Sequence, residues 1–161
     1  MRPLALIAAV LSSLTLLPTA AIGQAGVEDA VRQTILDQYA FGRENLRDQS
    51  GTYSRDGSVV FRSSGGLLQQ TPTDAPLGDY VFNTLTPKHM TVTLLSAEAA
   101  VVHMYVEGGF QVEGQEAVPN YLVRATLVMV LEGGEWKERA AHWSPIQGGT
   151  GTNEPAVAPP V

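Results

Sequence analysis

Val27, Val31, Ile35 and Tyr39 recur at every fourth residue, and Ala30 and Thr34 fill the positions three residues on. Arg32, Asp37, Arg43 and Glu44 fall off this stripe, so the pattern predicts one amphipathic helix from about Gly26 to Arg47. Beyond it the period drops to two. Val59-Val60-Phe61 and Leu67-Leu68 flank Gly65-Gly66, a pair suited to a hairpin turn with positive φ. Pro72 to Pro76 reads as a loop, and Asp79 to Leu85 as a short helix stopped by Pro87. Five strands are then expected at Met90–Leu95, Ala99–Glu107, Phe110–Val112, Tyr121–Leu131 and Trp136–Trp143. Hairpin turns are expected at Gly108-Gly109 and Gly133-Gly134. One long helix followed by antiparallel strands is an α+β pattern, in which a curved sheet wraps the helix and buries its stripe.

Alternation along paired strands assigns faces, provided each turn holds an even number of residues. Across Gly133-Gly134, Leu131 then faces Trp136, Leu127 faces Ala140 and Ala125 faces His142. Across Ala97-Glu98, Leu94 faces Val101, Val92 faces His103 and Met90 faces Tyr105. The more apolar face of each pair belongs against the helix. This expectation carries His103, Tyr105, Glu138, His142 and Ser144 inward, with Tyr39 reaching them from the helix, and leaves His89 outside. Polar atoms in an apolar wall either bond one another or line a wet pocket. These six are therefore the expected ligand-binding residues, and His103 or His142 with Glu138 as orienting partner would form a general base. Trp136 is expected in the core. Arg124, Val128, Val130 and Trp143 are expected on the outer face, where they would pair two copies as a homodimer.

Composition narrows the chemistry. The 161 residues include no cysteine, which removes disulfides, cysteine-ligated metals, a thiol nucleophile and a bacterial lipid anchor. A net charge of −6 argues against a nucleic-acid backbone as partner. No Gly-x-Ser-x-Gly, Walker or dinucleotide pattern occurs, and the histidines lack metal-ligand spacing, so neither a cofactor nor a metal is expected. Met1-Arg2, the apolar run Leu4–Leu17 and Gly23-Gln24-Ala25 compose a secretory signal. The expected layout is a signal peptide over 1–25, one domain over 26–146 and a flexible Gly/Pro/Ala tail over 147–161. The product would be a periplasmic or secreted bacterial protein, free of the membrane after cleavage.

Arg124-Ala125-Thr126, Gly134-Glu135-Trp136-Lys137 and His142-Trp143-Ser144 resemble the end of a SnoaL-like domain of the nuclear transport factor and ketosteroid isomerase superfamily. Tyr53 to Phe61 is similar to the first strand region of that group, and the resemblance spans Val27 to Pro145. It implies a cone-shaped, strongly bent antiparallel sheet closed by helix (a cystatin-like α+β barrel), often dimeric, with a small-molecule pocket. Tyr39 matches the helix tyrosine that polarises substrate in ketosteroid isomerases. The two aspartates of those enzymes would fall near Arg62–Ser64 and Arg124–Thr126, where this chain has no carboxylate. The resemblance thus implies an exported domain binding a small, partly apolar molecule in its cone. An isomerase, dehydratase or hydrolase using histidine, and a dimerising structural module, are the alternatives.

Overall fold

A computed structural model describes residues 19–146, 149 and 151. The helix α1 spans Thr19–Asn45, and the sheet is built from β1 Ser58–Phe61, β2 Gln69–Thr71, β3 Tyr80–Asn83, β4 Thr86–Ser96, β5 Ala99–Val112, β6 Val118–Glu132 and β7 Glu135–Pro145. The strands lie in the order β2-β1-β7-β6-β5-β3, with β4 beside β3 along the same edge of β5. The expected α+β fold is present, with one departure in the sheet. Pairing is antiparallel except between β1 and β7, which run parallel and make the sheet mixed. Residues 1–18, most of the expected signal, lie outside the described residues, as does the expected tail apart from Gly149 and Gly151.

The helix stripe does what its spacing requires. Val31 and Ile35 are fully buried, Val27 and Tyr39 pack against the core, and Leu46 ends the helix in a left-handed conformation at φ 52°. Two arginines off the stripe tie the helix to the sheet edge: Arg32 Nη1 donates to Met90 O at 2.6 Å, and Arg43 Nη1 to Leu85 O at 2.7 Å. The core they enclose is the inner face of the long strands. It comprises Ala100, Val102, Met104 and Val106 of β5, Val123, Ala125, Leu127 and Met129 of β6, and Trp136 and Ala141 of β7.

Four expectations are corrected. Asp79–Leu85 contains strand β3, because Tyr80–Asn83 pairs with the end of β5 rather than closing a helical turn. Gly108-Gly109 is a bulge inside β5, and the expected strand Phe110–Val112 is the continuation of β5. A Cβ on Gly108 would lie 2.6 Å from Thr84 O, so glycine is needed there to let the β3–β4 junction approach. Leu67 and Leu68 are exposed loop residues; the second arm of that hairpin starts at Gln69. Trp143 faces inward with Trp136, not outward.

The displaced tryptophan has one cause. Gly133 and Gly134, at φ 61° and 86°, make the expected two-residue turn, and Leu131 faces Trp136 as expected. The register then slips: Met129 faces Glu138 but Val128 faces Ala140, leaving Arg139 unopposed. A single extra residue reverses the facing of everything after it. Leu95 does the same at the β4–β5 turn, where Leu94 faces Ala100 and Ser96 faces Ala99.

Candidate functional site

The two bulges divide the expected ligand-binding residues between opposite faces of the sheet. Glu138, on the turn side of the β7 bulge, stays inward. Ser58, buried at the start of β1, donates to Glu138 Oε1 at 2.6 Å. The chain before β1 also docks on this residue: Glu138 N donates to Thr52 O at 2.8 Å, and Ser54 N to Glu138 O at 2.9 Å. Tyr53 is thereby bridged to Glu138 in parallel fashion. Arg62 follows β1, donates through Nε to Gln69 Oε1 at 2.7 Å and hydrogen-bonds the Tyr53 side chain. An aromatic chain lies nearby. The Tyr80 and Phe110 rings meet edge to face at 6.1 Å, and Phe110 meets Tyr121 at 5.4 Å. Tyr121 OH and Ser63 Oγ are 3.4 Å apart.

Electrostatics tie these groups to Tyr39. Burial raises the Tyr39 phenol well above its ordinary value, reinforced by Tyr121, Glu138, Tyr80 and Asp48. Burial also raises Glu138, against the opposing pull of the Ser58 hydrogen bond and the Arg62 charge. Tyr53 is raised by burial and by Glu138, while Arg62 works in the other direction. Tyr80 is raised by burial and by Asp48, whose Oδ1 its hydroxyl donates to. The interior therefore holds neutral phenols and a carboxyl biased toward its protonated form. Tyr39, Tyr53, Arg62 and Glu138 all keep partial solvent exposure.

His103, Tyr105, His142 and Ser144 stand on the other side. In β5 the inward positions are Val102, Met104 and Val106, so His103 and Tyr105 point out, with Tyr105 44% exposed. In β7 the Arg139 bulge turns His142 and Ser144 outward, where they sit beside Thr126 and Arg124 of β6. The expected histidine–Glu138 pairing is overturned, because the imidazoles and the carboxyl lie on opposite faces. The four displaced residues are nonetheless gathered together, lining an outer groove with His89, which lies outside as expected. Among the described residues no group of three His, Asp or Glu side chains is gathered as metal ligands.

No protein-family model matches the chain, and no curated protein sequence matches it. Solved structures do. A protein from Novosphingobium aromaticivorans, provisionally assigned as a scytalone dehydratase, superposes with a TM-score of 0.59 at 13% identity, over 76% of this chain and 86% of that one. An NTF2-like protein of unknown function from Pseudomonas putida gives 0.52 at 20% identity, over 74% and 87%. The fold is NTF2-like. A hexachlorocyclohexane dehydrochlorinase, LinA-type3 from Novosphingobium barchaimii, shares it with a TM-score of 0.56 at 12% identity, over 88% of this chain and all of that one.

Of the six expected ligand-binding residues, Tyr39 and Glu138 face the interior of the NTF2-like cone, as expected. Tyr53, Ser58, Arg62, Tyr80 and Tyr121 were missed. Their signal is compositional: four of the chain's five tyrosines, all but Tyr105, belong to the interior cluster. No local spacing shows this, because Tyr53 lies in a loop that bridges to Glu138 of β7, and Arg62 in the loop after β1, where its side chain bonds Gln69 of β2.

Proposed function

We propose that the interior of the cone binds a small, partly aromatic molecule carrying a hydroxyl or carbonyl oxygen. Glu138 and the Tyr39 and Tyr53 phenols would contact that oxygen, and the Tyr80–Phe110–Tyr121 chain would pack against the ring. The observation that carries this reading is Glu138. It is an inward carboxyl, biased by burial toward its proton-bearing form and beside partly exposed phenols. Its oxygens can accept from a ligand hydroxyl, and the neutral phenols beside it can donate to a ligand carbonyl. The test is ligand-observed NMR with 4-hydroxyacetophenone, which carries a ring, a hydroxyl and a carbonyl. Saturable binding that weakens by at least ~threefold in both Glu138→Gln and Tyr39→Phe supports the reading. Binding unaffected by either substitution overturns it.

A lyase or isomerase acting in the same cone is the second reading, in which the inward Glu138 would exchange a proton with the substrate. The dehydrochlorinase structure and the provisional dehydratase share the fold but not the activity by inference. Loss of turnover in Glu138→Gln with ligand affinity retained would separate catalysis from binding. Export is proposed alongside. Residues 23–26, around the expected cleavage point, are exposed, and among the helix residues whose burial is described the first fully buried one is Val31. Removal of 1–25 therefore leaves the packed stripe intact. Amino-terminal sequencing of the protein from culture fractions tests it; a cytoplasmic product beginning at Met1 contradicts it.

A further inference from the structure

We propose a second ligand site on the outer face of the sheet, in a groove of about 800 Å³ that takes a small aromatic carboxylate. Two adjacent rungs of paired residues build it. Tyr105, Arg124 and Ser144 face one another across β5, β6 and β7, and His103, Thr126 and His142 form the next rung. Residues two apart on one strand share a face at roughly 7 Å, so both rungs present their side chains to one ligand-sized space.

The groove's chemistry is selective for charge. The chain carries 16 Asp and Glu against 10 Lys and Arg, yet no carboxylate lines this groove, and all three histidines do. Glu107, two residues beyond Tyr105, is held at 3.2 Å by Lys88. Arg124 donates through Nε to Ser144 Oγ at 2.9 Å, which orients the guanidinium, and among the described residues it has no carboxylate partner. Its remaining N–H groups form the planar fork that matches a carboxylate, with the Thr126 hydroxyl and the imidazoles as neighbouring donors.

The body of the ligand is set by the ends of the groove. His89 and Tyr105 meet edge to face at 6.0 Å on one side, and Phe61 and His142 at 5.6 Å on the other. Phe61 and Tyr105 are 46% and 44% exposed, an apolar surface flanking the guanidinium. His89 reaches Tyr105 from a left-handed backbone, φ 49°, at a bulge between Lys88 and Thr91. Strain of this kind at a non-glycine residue is retained where the surroundings hold it in place, often at ligand clamps. A ring between the aromatic pairs and a carboxylate on Arg124 satisfies both halves of the surface.

The test is calorimetric titration of the purified protein with benzoate, its neutral counterpart benzamide, and inorganic phosphate. Benzoate is expected to bind at least ~tenfold more tightly than benzamide and than phosphate. Arg124→Gln should weaken benzoate by at least ~tenfold, and the near-isosteric Thr126→Val by about threefold. In the unsubstituted protein, benzoate should shift the His103 and His142 imidazole resonances. Glu138→Gln, on the opposite face, should leave benzoate affinity unchanged. Equal affinity for benzoate and benzamide, or undiminished affinity in Arg124→Gln, overturns the proposal. So does loss of benzoate binding in Glu138→Gln, which would put the probe in the cone. Sedimentation showing a dimer that Arg124→Gln dissociates, with no benzoate bound, would assign the groove to a second copy instead.

Discussion

Ser58 Oγ donates a 2.6 Å hydrogen bond to Glu138 Oε1, joining the start of β1 to β7 one residue before its bulge. That contact lowers the carboxyl, but burial outweighs it, and Glu138 ends above its ordinary 4.5. The folded protein therefore holds this proton more tightly than the unfolded chain does. The associated stability is full below 4.5 and is lost as pH rises through the raised value. Glu138→Gln keeps the shape and removes the ionisation. Melting temperatures of the variant should fall less than those of the parent as pH rises from 4.5 toward neutrality. Parallel curves for the two proteins would contradict the burial of this carboxyl.

The inward and outward positions of β5 are open to a direct comparison. Met104 is 3% exposed in the core, and its neighbour His103 stands outside. Met104→Ala should cost ~2–5 kcal/mol in denaturant unfolding, from lost transfer energy and the cavity left behind. His103→Ala should stay within about 0.5 kcal/mol. The reverse order would restore the face assignment expected from an even turn at Ala97-Glu98.

Arg139 is an extra residue in length more than in chemistry. Arg139→Ala keeps the bulge and should change stability by less than ~1 kcal/mol. Deleting Arg139 forces a straight register that turns His142 and Ser144 inward and Trp143 out. That deletion should cost more than ~3 kcal/mol or prevent folding, as read by urea unfolding. Equal tolerance of both changes would contradict the bulge.

Glycine is required at one Gly-Gly pair for space and at another only for backbone angle. Gly108 has φ 136° and a hypothetical Cβ 2.6 Å from Thr84 O, whereas Gly134 has φ 86° and nothing within 4 Å. Gly108→Ala should destabilise by more than ~1 kcal/mol, because no side chain must shift but backbone must. Gly134→Asn should cost only a few tenths of a kcal/mol, because asparagine tolerates the left-handed region. Thermal melts of the two variants decide it.

These contrasts show what was legible in the chain and what was not. The stripe of Val31 and Ile35 and the turn at Gly133-Gly134 are local, and each was readable from spacing or φ preference alone. The inner face of β6, from Val123 to Leu131, was readable by the same alternation. The bulges were not, because Leu95 and Arg139 differ from their neighbours only in having no partner opposite. That is a property of two strands together and leaves no mark in either one. Parity carried past them placed His103, Tyr105, His142 and Ser144 on the wrong face. The parallel pairing of β1 with β7 is equally non-local, and it brings Ser58 to Glu138 from 80 residues away. Tyr39 was readable because it shares the helix stripe; Tyr53 and Arg62 were not, because they enter the cone from segments without periodicity.

The cone as a ligand site is tested most directly by a crystal structure of the protein soaked with 4-hydroxyacetophenone. The predicted result is a ring bordered by Tyr80, Phe110 and Tyr121, with an oxygen within hydrogen-bond distance of Glu138 and of Tyr39 or Tyr53. An interior closed by its own side chains, with the compound bound only on the outer face, would contradict it.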